Sequence, residues 1–363
     1  MSVSAYKIYA TTSEAWEAMY RAIAGAQHSI YWEVYMLLDD LAGKRFFELF
    51  EKKAQAGVSV RLIVDYWGSL GLSRRRVEEL RSRGVDIRFF QDRKRWSLVW
   101  WGMFASRTHR KLLIVDERTG YIGGVNVGHY MRDWLDIQVE VRGQVVRSLL
   151  RAFARSYILC GGDKETVKHL LRYSFRVRQR YSDVICDRPD LAVSTVKQKY
   201  IEALSKARER VILFSPYYFP DRSFLRALWA AKKRGIRVDL LIPLRSDLRL
   251  ATYVAYAWFA IMRRYGVHVH MLRKMMHGKG VIMDDDWAMI GSSNIDYPSF
   301  HYNHEANLQV RDKRFVRQLQ RIVAGWQKDS LTLDEEKWGR RGRWQRCKEW
   351  CALRLYRIWF NIK

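Results

Sequence analysis

Eighteen residues of this chain are laid out twice on one polar frame. The first copy runs His109-x-Lys111-x4-Asp116-x6-Gly123-Gly124-x-Asn126, and the second His277-x-Lys279-x4-Asp284-x6-Gly291-Ser292-x-Asn294. Identical spacing of such different side chains requires the same local backbone, so the chain must fold as two copies of one unit. In a strand, residues i and i+2 share a face. His109 then projects with Lys111, and His277 with Lys279. Asp116 and Asp284 stand an odd number of positions from their histidines and face away. They are expected to be structural, as are Gly123, Gly124, Gly291 and Ser292.

The flanks repeat as well. AQAGVSVRLIVD (54–65) matches KKRGIRVDLLIP (232–243), and RSRGVDIRFF (81–90) matches RRYGVHVHML (263–272). Each reads as a helix end, a glycine at the left-handed C′ position, then a strand. SIYWEVYMLLDD (29–40) parallels RVILFSPYYFPD (210–221) as an opening strand, and KLLIVD (111–116) parallels KGVIMD (279–284) as a buried one. The order β-α-β-α-β-β, twice, predicts an α/β sheet in each half. The expected boundaries are a first lobe over 1–160, a polar linker over 161–190, a second lobe over 191–330 and a tail over 331–363.

Charge bounds the partner. The 65 Lys and Arg against 38 Asp and Glu leave +27, which calls for a polyanion: nucleic acid, an anionic membrane or a phosphate-bearing substrate. The 15 Trp, 20 Tyr and 15 Phe fit a lipid headgroup layer or base stacking equally well. Four cysteines without a C-x-x-C pair argue against a disulfide scaffold or structural zinc, and for a reducing compartment. The first residues lack the apolar core of a signal peptide, and no apolar run is long enough to span a membrane. The first half carries about 14 more residues than the second before its motif, and they include Trp96, Trp100, Trp101 and Phe104. In the tail, eight Lys or Arg face one acid over 338–363, and Trp344, Cys347, Cys351, Leu355, Ile358 and Ile362 recur at helical spacing. That pattern fits an interfacial amphipathic helix, or a terminal helix docked on the protein's own core. The candidate membrane contacts are the four insert residues with Trp344, Trp350 and Trp359. Cys347 and Cys351 read as small apolar residues on that helix. ATYVAYAWFAIM (251–262) reads as a core helix or as the lining of an acyl pocket.

The duplicated motif resembles that of the phospholipase D superfamily, and the likeness covers nearly the whole chain. HRKLLIVD with IGGVN, and HGK with WAMIGSSNID, are similar to bacterial cardiolipin synthases of the short type without N-terminal transmembrane helices. SPYYFP (215–220) and HEAN (304–307) are also similar to that family. The resemblance implies two α/β lobes related by a pseudo-twofold axis, each a mixed sheet flanked by helices, with one active site between them. It further implies that a carboxylate of each half reaches the histidine of the other: Glu305 with His109, and Asp136 with His277. The same likeness assigns His109 as nucleophile and His277 as acid and base. The implied setting is peripheral, on the cytoplasmic face of a bacterial inner membrane, with phosphatidylglycerol as the anionic substrate and no nucleic acid as partner.

The residues suit a phosphodiester. Lys111, Lys279, Asn126 and Asn294 can hold non-bridging oxygens and offset charge in the transition state. One neutral imidazole can attack phosphorus, while the other, protonated, gives a proton to the leaving alkoxide. Lysine supplies the positive charge, so no metal or other cofactor is called for. Gly124 against Ser292 leaves one hydroxyl fewer near the phosphate in the first half. Glu33 fits either a place in the cavity or a paired strand carboxylate, and stays outside the catalytic set. The expected reaction turns two phosphatidylglycerols into cardiolipin and glycerol. Hydrolysis by the same intermediate is the first rival and a nuclease the second. A non-catalytic polyanion binder is the third, and it predicts decayed motifs where both are intact.

Overall fold

A computed structural model describes residues 5–91, 106–172, 182–189, 193–332 and 342–359. The first lobe runs β1 (Tyr6–Thr11), α1 (Thr12–Ala24), β2 (Ser29–Val34), α2 (Leu41–Gln55), β3 (Ser59–Asp65), α3 (Arg74–Ser82) and β4 (Asp86–Phe90). It continues with β5 (Leu112–Val115), β6 (Thr119–Gly123), β7 (Leu135–Arg142), α4 (Val145–Leu159) and α5 (Lys164–Leu171). Its sheet has the order β1-β7-β6-β5-β2-β3-β4. Strands β2, β3 and β4 are parallel, and the rest join antiparallel.

The second lobe runs β8 (Ser182–Asp187), α6 (Thr195–Lys206), β9 (Arg210–Phe214), α7 (Arg222–Lys233), β10 (Arg237–Pro243), α8 (Arg249–Arg264) and β11 (Val267–Leu272). After these come β12 (Gly280–Met283), β13 (Trp287–Gly291), α9 (Tyr297–His301), β14 (Glu305–Val310), α10 (Lys313–Lys328), β15 (Ser330–Thr332) and α11 (Arg343–Trp359). Its sheet has the order β15-β11-β10-β9-β12-β13-β14-β8, with β9, β10 and β11 parallel.

The repeat is carried by matched local devices. Gly57, Gly84, Gly235 and Gly266 all take positive φ, between 71° and 89°, where a side chain would strain the turn into the next strand. Asp40 caps α2 through the amides of Ala42 and Gly43, and Asp221 caps α7 through those of Ser223 and Phe224. Isolated bridges join Leu37 to Val127 and Tyr218 to Ile295. Asp116 and Asp284 also take positive φ, at 51° and 47°. The Asp116 carboxylate accepts the amides of Gln27, His28 and Ser29, and that of Asp284 those of Arg208, Glu209 and Arg210. Each ties the turn between the two motif strands, β5 and β6 or β12 and β13, to the start of β2 or β9.

Each sheet is larger than the four-strand repeat. Strands β1, β6 and β7 of the first sheet and β8, β13, β14 and β15 of the second are additional to that pattern. The stretch 161–190, expected as a linker, carries α5 and strand β8, which pairs with β14 along its full length. Only Asp183 and Asp187 of its charged residues lie on this edge strand, where they interrupt the apolar alternation. The lobes share one core: Ile137 and Val139 of β7 cluster with Ile290, Leu308 and Trp326 of the second lobe. Arg110, 2% exposed, stitches the seam through Ser156 Oγ at 3.0 Å and the carbonyls of Glu305 and Asp187 at 3.3 Å.

Helix α11 packs on α8 through Ala352, Leu353 and Tyr356. The opposite face is bare: Trp344, Trp350, Leu355 and Ile358 are exposed, with Cys347 and Cys351 beside them. Helix α11 is thus docked on the protein by one side while a second apolar side stays in solvent. Among the described residues no helix is long and apolar enough to cross a membrane. Trp96, Trp100, Trp101 and Phe104 lie outside the described residues, as does the side chain of Trp359.

Candidate active site

The two motif segments do not stay in their own lobes. The His109 amide donates to the carbonyl of His304 (2.9 Å), whose own amide donates to the carbonyl of Arg107 (2.7 Å). In the other direction the His277 amide donates to the carbonyl of Leu135 (2.7 Å), whose amide donates to the carbonyl of Met275 (2.9 Å). These bridges match across the pseudo-twofold. Each lays a motif histidine beside the first residues of the other lobe's late strand, β14 or β7. The carboxylates at those strand starts then meet the histidines. His109 Nδ1 is 3.0 Å from Glu305 Oε1, and His277 Nδ1 is 2.7 Å from Asp136 Oδ2. A carboxylate on Nδ1 fixes the proton there and leaves Nε2 with its lone pair.

Gly124 and Ser292 act on the carboxylates. The Ser292 hydroxyl donates to Glu305 and takes the amide of Ala306, so it supports Glu305 from behind rather than facing a phosphate as expected. At Gly124 a Cβ would stand 2.2 Å from Asp136 Oδ1. Aspartate is one methylene shorter than glutamate, so its carboxyl occupies the space of the serine side chain. Asp136 instead accepts the amide of Ile137 at 2.8 Å. Gly123 and Gly291 end β6 and β13 against the carbonyls of Ile137 and Ala306, with no space for a side chain.

The lysines are buried to 1% exposure, each folded onto its own motif backbone. Lys111 Nζ donates to the carbonyl of His109 at 2.7 Å, and Lys279 Nζ to that of His277. Burial and the charge of Lys279 hold Lys111 well below the usual lysine range, and burial brings Lys279 down to about 8. Burial, with the lysines, pushes His109 down to about 4 and lowers His277. Glu305 and Asp136 are pushed up by burial, but the facing imidazoles and lysines outweigh it and hold both below the usual carboxylate range. The site therefore holds neutral imidazoles and ionised carboxylates beside two buried lysines whose charged forms burial disfavours. The Asn126 amide oxygen accepts the amide of Met36 (3.2 Å), and the residue lines the cavity described next.

Both histidines and both asparagines line one cavity of about 460 Å³. Lys111 and Lys279 lie behind it. The wall also contains residues that the sequence did not single out. On the first lobe these are Arg107, Met36 and Trp134; on the second, Tyr217, Asp247 and Asp296. Burial raises Asp296 to about 7. Ala251 and Val254 of α8 reach the same cavity, as does Tyr356 of α11, whose ring packs 4.7 Å from Phe219. Glu33 is behind the site: Thr108 donates to it, and Asp65 accepts the Thr108 amide at 2.9 Å. Both are buried, and burial raises both, Asp65 to about 6.

Comparison with known proteins gives a consistent picture. The family profile described as "Cardiolipin synthase, PLD-like domain" matches residues 19–156 and 200–326. "Cardiolipin synthase 2" of Bacillus anthracis is 32% identical over 317 residues, covering 84% of this chain and 61% of that protein. A probable cardiolipin synthase of Bacillus subtilis is 29% identical over 358 residues, covering 94% and 70%. The chain thus spans about three-fifths of the length of the first of these relatives. Phosphatidylserine synthase of Haemophilus influenzae Rd KW20 shares the fold, with a TM-score of 0.74 at 12% identity over 97% of this chain and 93% of that one.

Proposed function

The chain belongs to the cardiolipin synthase family of phospholipase D-like domains, and from that premise we propose that it joins two phosphatidylglycerols into cardiolipin and releases glycerol. His109 Nε2 attacks the phosphorus of the first lipid. As the P–N bond forms, the P–O bond to glycerol breaks, and His277 gives that oxygen its proton. The primary hydroxyl of the second lipid then attacks the phosphohistidine. Its proton passes to His277, a P–O bond forms and the P–N bond breaks. One phosphodiester is exchanged for another, so no nucleotide is consumed.

His277 must be protonated in the first step although burial and the lysines push its pKa down. The bound phosphodiester supplies the missing negative charge and raises it, so proton and substrate arrive together. Lys111 and Lys279 offset the charge that grows on the non-bridging oxygens, and the asparagine amides hold them. The observation that carries this reading is the pair of histidines, each oriented by the other lobe's carboxylate, on one cavity wall.

The exposed apolar face of α11 and its cations, with Arg354 4.9 Å over Trp350, support a peripheral site on an anionic bilayer; its assignment to the cytoplasmic face of the inner membrane rests on the family resemblance alone. The test is incubation with phosphatidylglycerol vesicles and resolution of the products. Cardiolipin and glycerol in equal amounts support the proposal. Phosphatidic acid alone means a hydrolase, and cleavage of DNA with none of lipid removes the lipid assignment.

A further inference from the structure

Cardiolipin-type transfer brings two phosphates into one site, yet the paired motifs provide for one. The acceptor lipid is itself a phosphodiester, a three-carbon bridge away from the hydroxyl that reacts. Its charge needs a partner that is not already committed to the first phosphate. Lys111 and Lys279 are committed, and the pseudo-twofold supplies no further pair.

Arg107 breaks that symmetry. The cross-lobe bridge makes 107–109 an extended segment, so Arg107 and His109 project on one side about 6–7 Å apart along the chain, while Thr108 turns back to Glu33. Arg107 and His109 both line the cavity. The equivalent of Arg107 in the second lobe, by its carbonyl's place in the matching bridge, is Met275, which is uncharged and does not line the cavity. The guanidinium lies 4.9 Å over the ring of Trp67. Asp65, buried and accepting the amides of Thr108, Trp67 and Gly68, faces Arg107 electrostatically from outside the cavity and does not line it. Across the cavity stand Asp247, bonded to Tyr217 at 2.7 Å, and Asp296. They disfavour a second anion on the second-lobe side. The cavity is therefore polarised, with its extra cation on the first lobe and its carboxylates on the second.

We propose that Arg107 holds the phosphodiester of the acceptor lipid, making the cavity a two-phosphate site in which one phosphate reacts and the other only binds. This rests on the transferase reading above. Arginine suits the role because its planar fork takes two phosphate oxygens at once.

Two measurements on the full chain separate this proposal from that reading. The first is inhibition of bis(4-nitrophenyl) phosphate hydrolysis by 1,3-propanediol bisphosphate and by its monophosphate. The native protein is expected to prefer the bisphosphate by about tenfold to a hundredfold, the span of a charge-assisted pair. Arg107→Gln should lose that preference, and Arg107→Lys should keep part of it. The second is competition in vesicles between phosphatidylglycerol and monooleoylglycerol, an acceptor with the same diol and no phosphate. Arg107→Gln should lower the ratio of cardiolipin to the neutral-acceptor product by about tenfold. Absence of a bisphosphate preference in the native protein, or its survival in Arg107→Gln, overturns the proposal. So does an unchanged product ratio when total turnover falls. A bisphosphate preference that needs Arg107, in a protein that makes no cardiolipin, would uphold the second anion site and remove the transferase reading instead.

Discussion

Replacing Gly124 with serine would make the first lobe match the second at that position, and should nevertheless damage the site. The added Cβ would stand 2.2 Å from Asp136 Oδ1, 3.0 Å from Cγ and 3.1 Å from Oδ2, so the whole carboxyl is in its way. Asp136 is 1% exposed and cannot swing into solvent. Relief comes by moving the carboxyl off His277 Nδ1, now 2.7 Å away, or by shifting β7. Overpacking of this kind costs about 1–3 kcal/mol. Loss of a charge-assisted hydrogen bond costs about 1.5–3 kcal/mol. Expressed in the rate, that is a fall of about tenfold to a hundredfold in kcat on a soluble phosphodiester, with a lowered Tm. Serine is tolerated at 292 because Glu305 carries its carboxyl one methylene further out. Adding Asp136→Glu to Gly124→Ser should therefore recover most of the lost rate. Steady-state kinetics and thermal melts of the two variants decide it. A single variant with native kcat, or a double variant no faster than the single, refutes the steric reasoning.

Other outcomes follow from the same geometry. His109→Ala should abolish turnover, whereas His277→Ala should retain a burst with a 4-nitrophenol leaving group, which needs no proton; stopped-flow absorbance reads both. Burial takes His109 from 6.5 unfolded to about 4 folded, so the unfolded chain binds the extra proton between those values. That stability is full above pH 6.5 and is lost as pH falls toward 4. Urea unfolding should show a loss of about 2 kcal/mol from pH 7 to 5, and His109→Gln should flatten the slope. Replacing Trp344, Leu355 and Ile358 with serine should weaken sedimentation with anionic vesicles at an unchanged Tm, because all three are exposed. A fall in Tm would mean that this face packs against the protein.

The repeat was legible because its glycines and motif residues obey local rules: a left-handed C′ glycine must precede each strand, and the motif keeps one spacing. Strands β7 and β14 were not, since they join the sheet by long-range antiparallel pairing that leaves no periodic mark around them. They carry Asp136 and Glu305, whose neighbours across the seam depend on the backbone bridges at Leu135 and His304. No spacing within one lobe encodes a bond to the other. In the sequence the exchange of Gly124 for Ser292 points to the phosphate, because its true partner, the Asp136 or Glu305 carboxyl, becomes adjacent only in the folded sheet. Arg107 was hidden among basic residues flanking an aromatic insert. Its position two before His109 mattered only once the segment proved extended.

The central claim is a phosphatidyl group carried on His109. Rapid quench of the enzyme with phosphatidylglycerol, followed by alkaline-stable peptide mapping, tests it most directly. The expected adduct lies on His109 in a peptide containing Lys111 and is absent from His109→Ala; in His277→Ala it forms from a 4-nitrophenyl ester donor and not from phosphatidylglycerol. An adduct on His277 would reverse the two roles. Cardiolipin formation with no adduct on either histidine under single-turnover conditions would contradict the covalent route altogether.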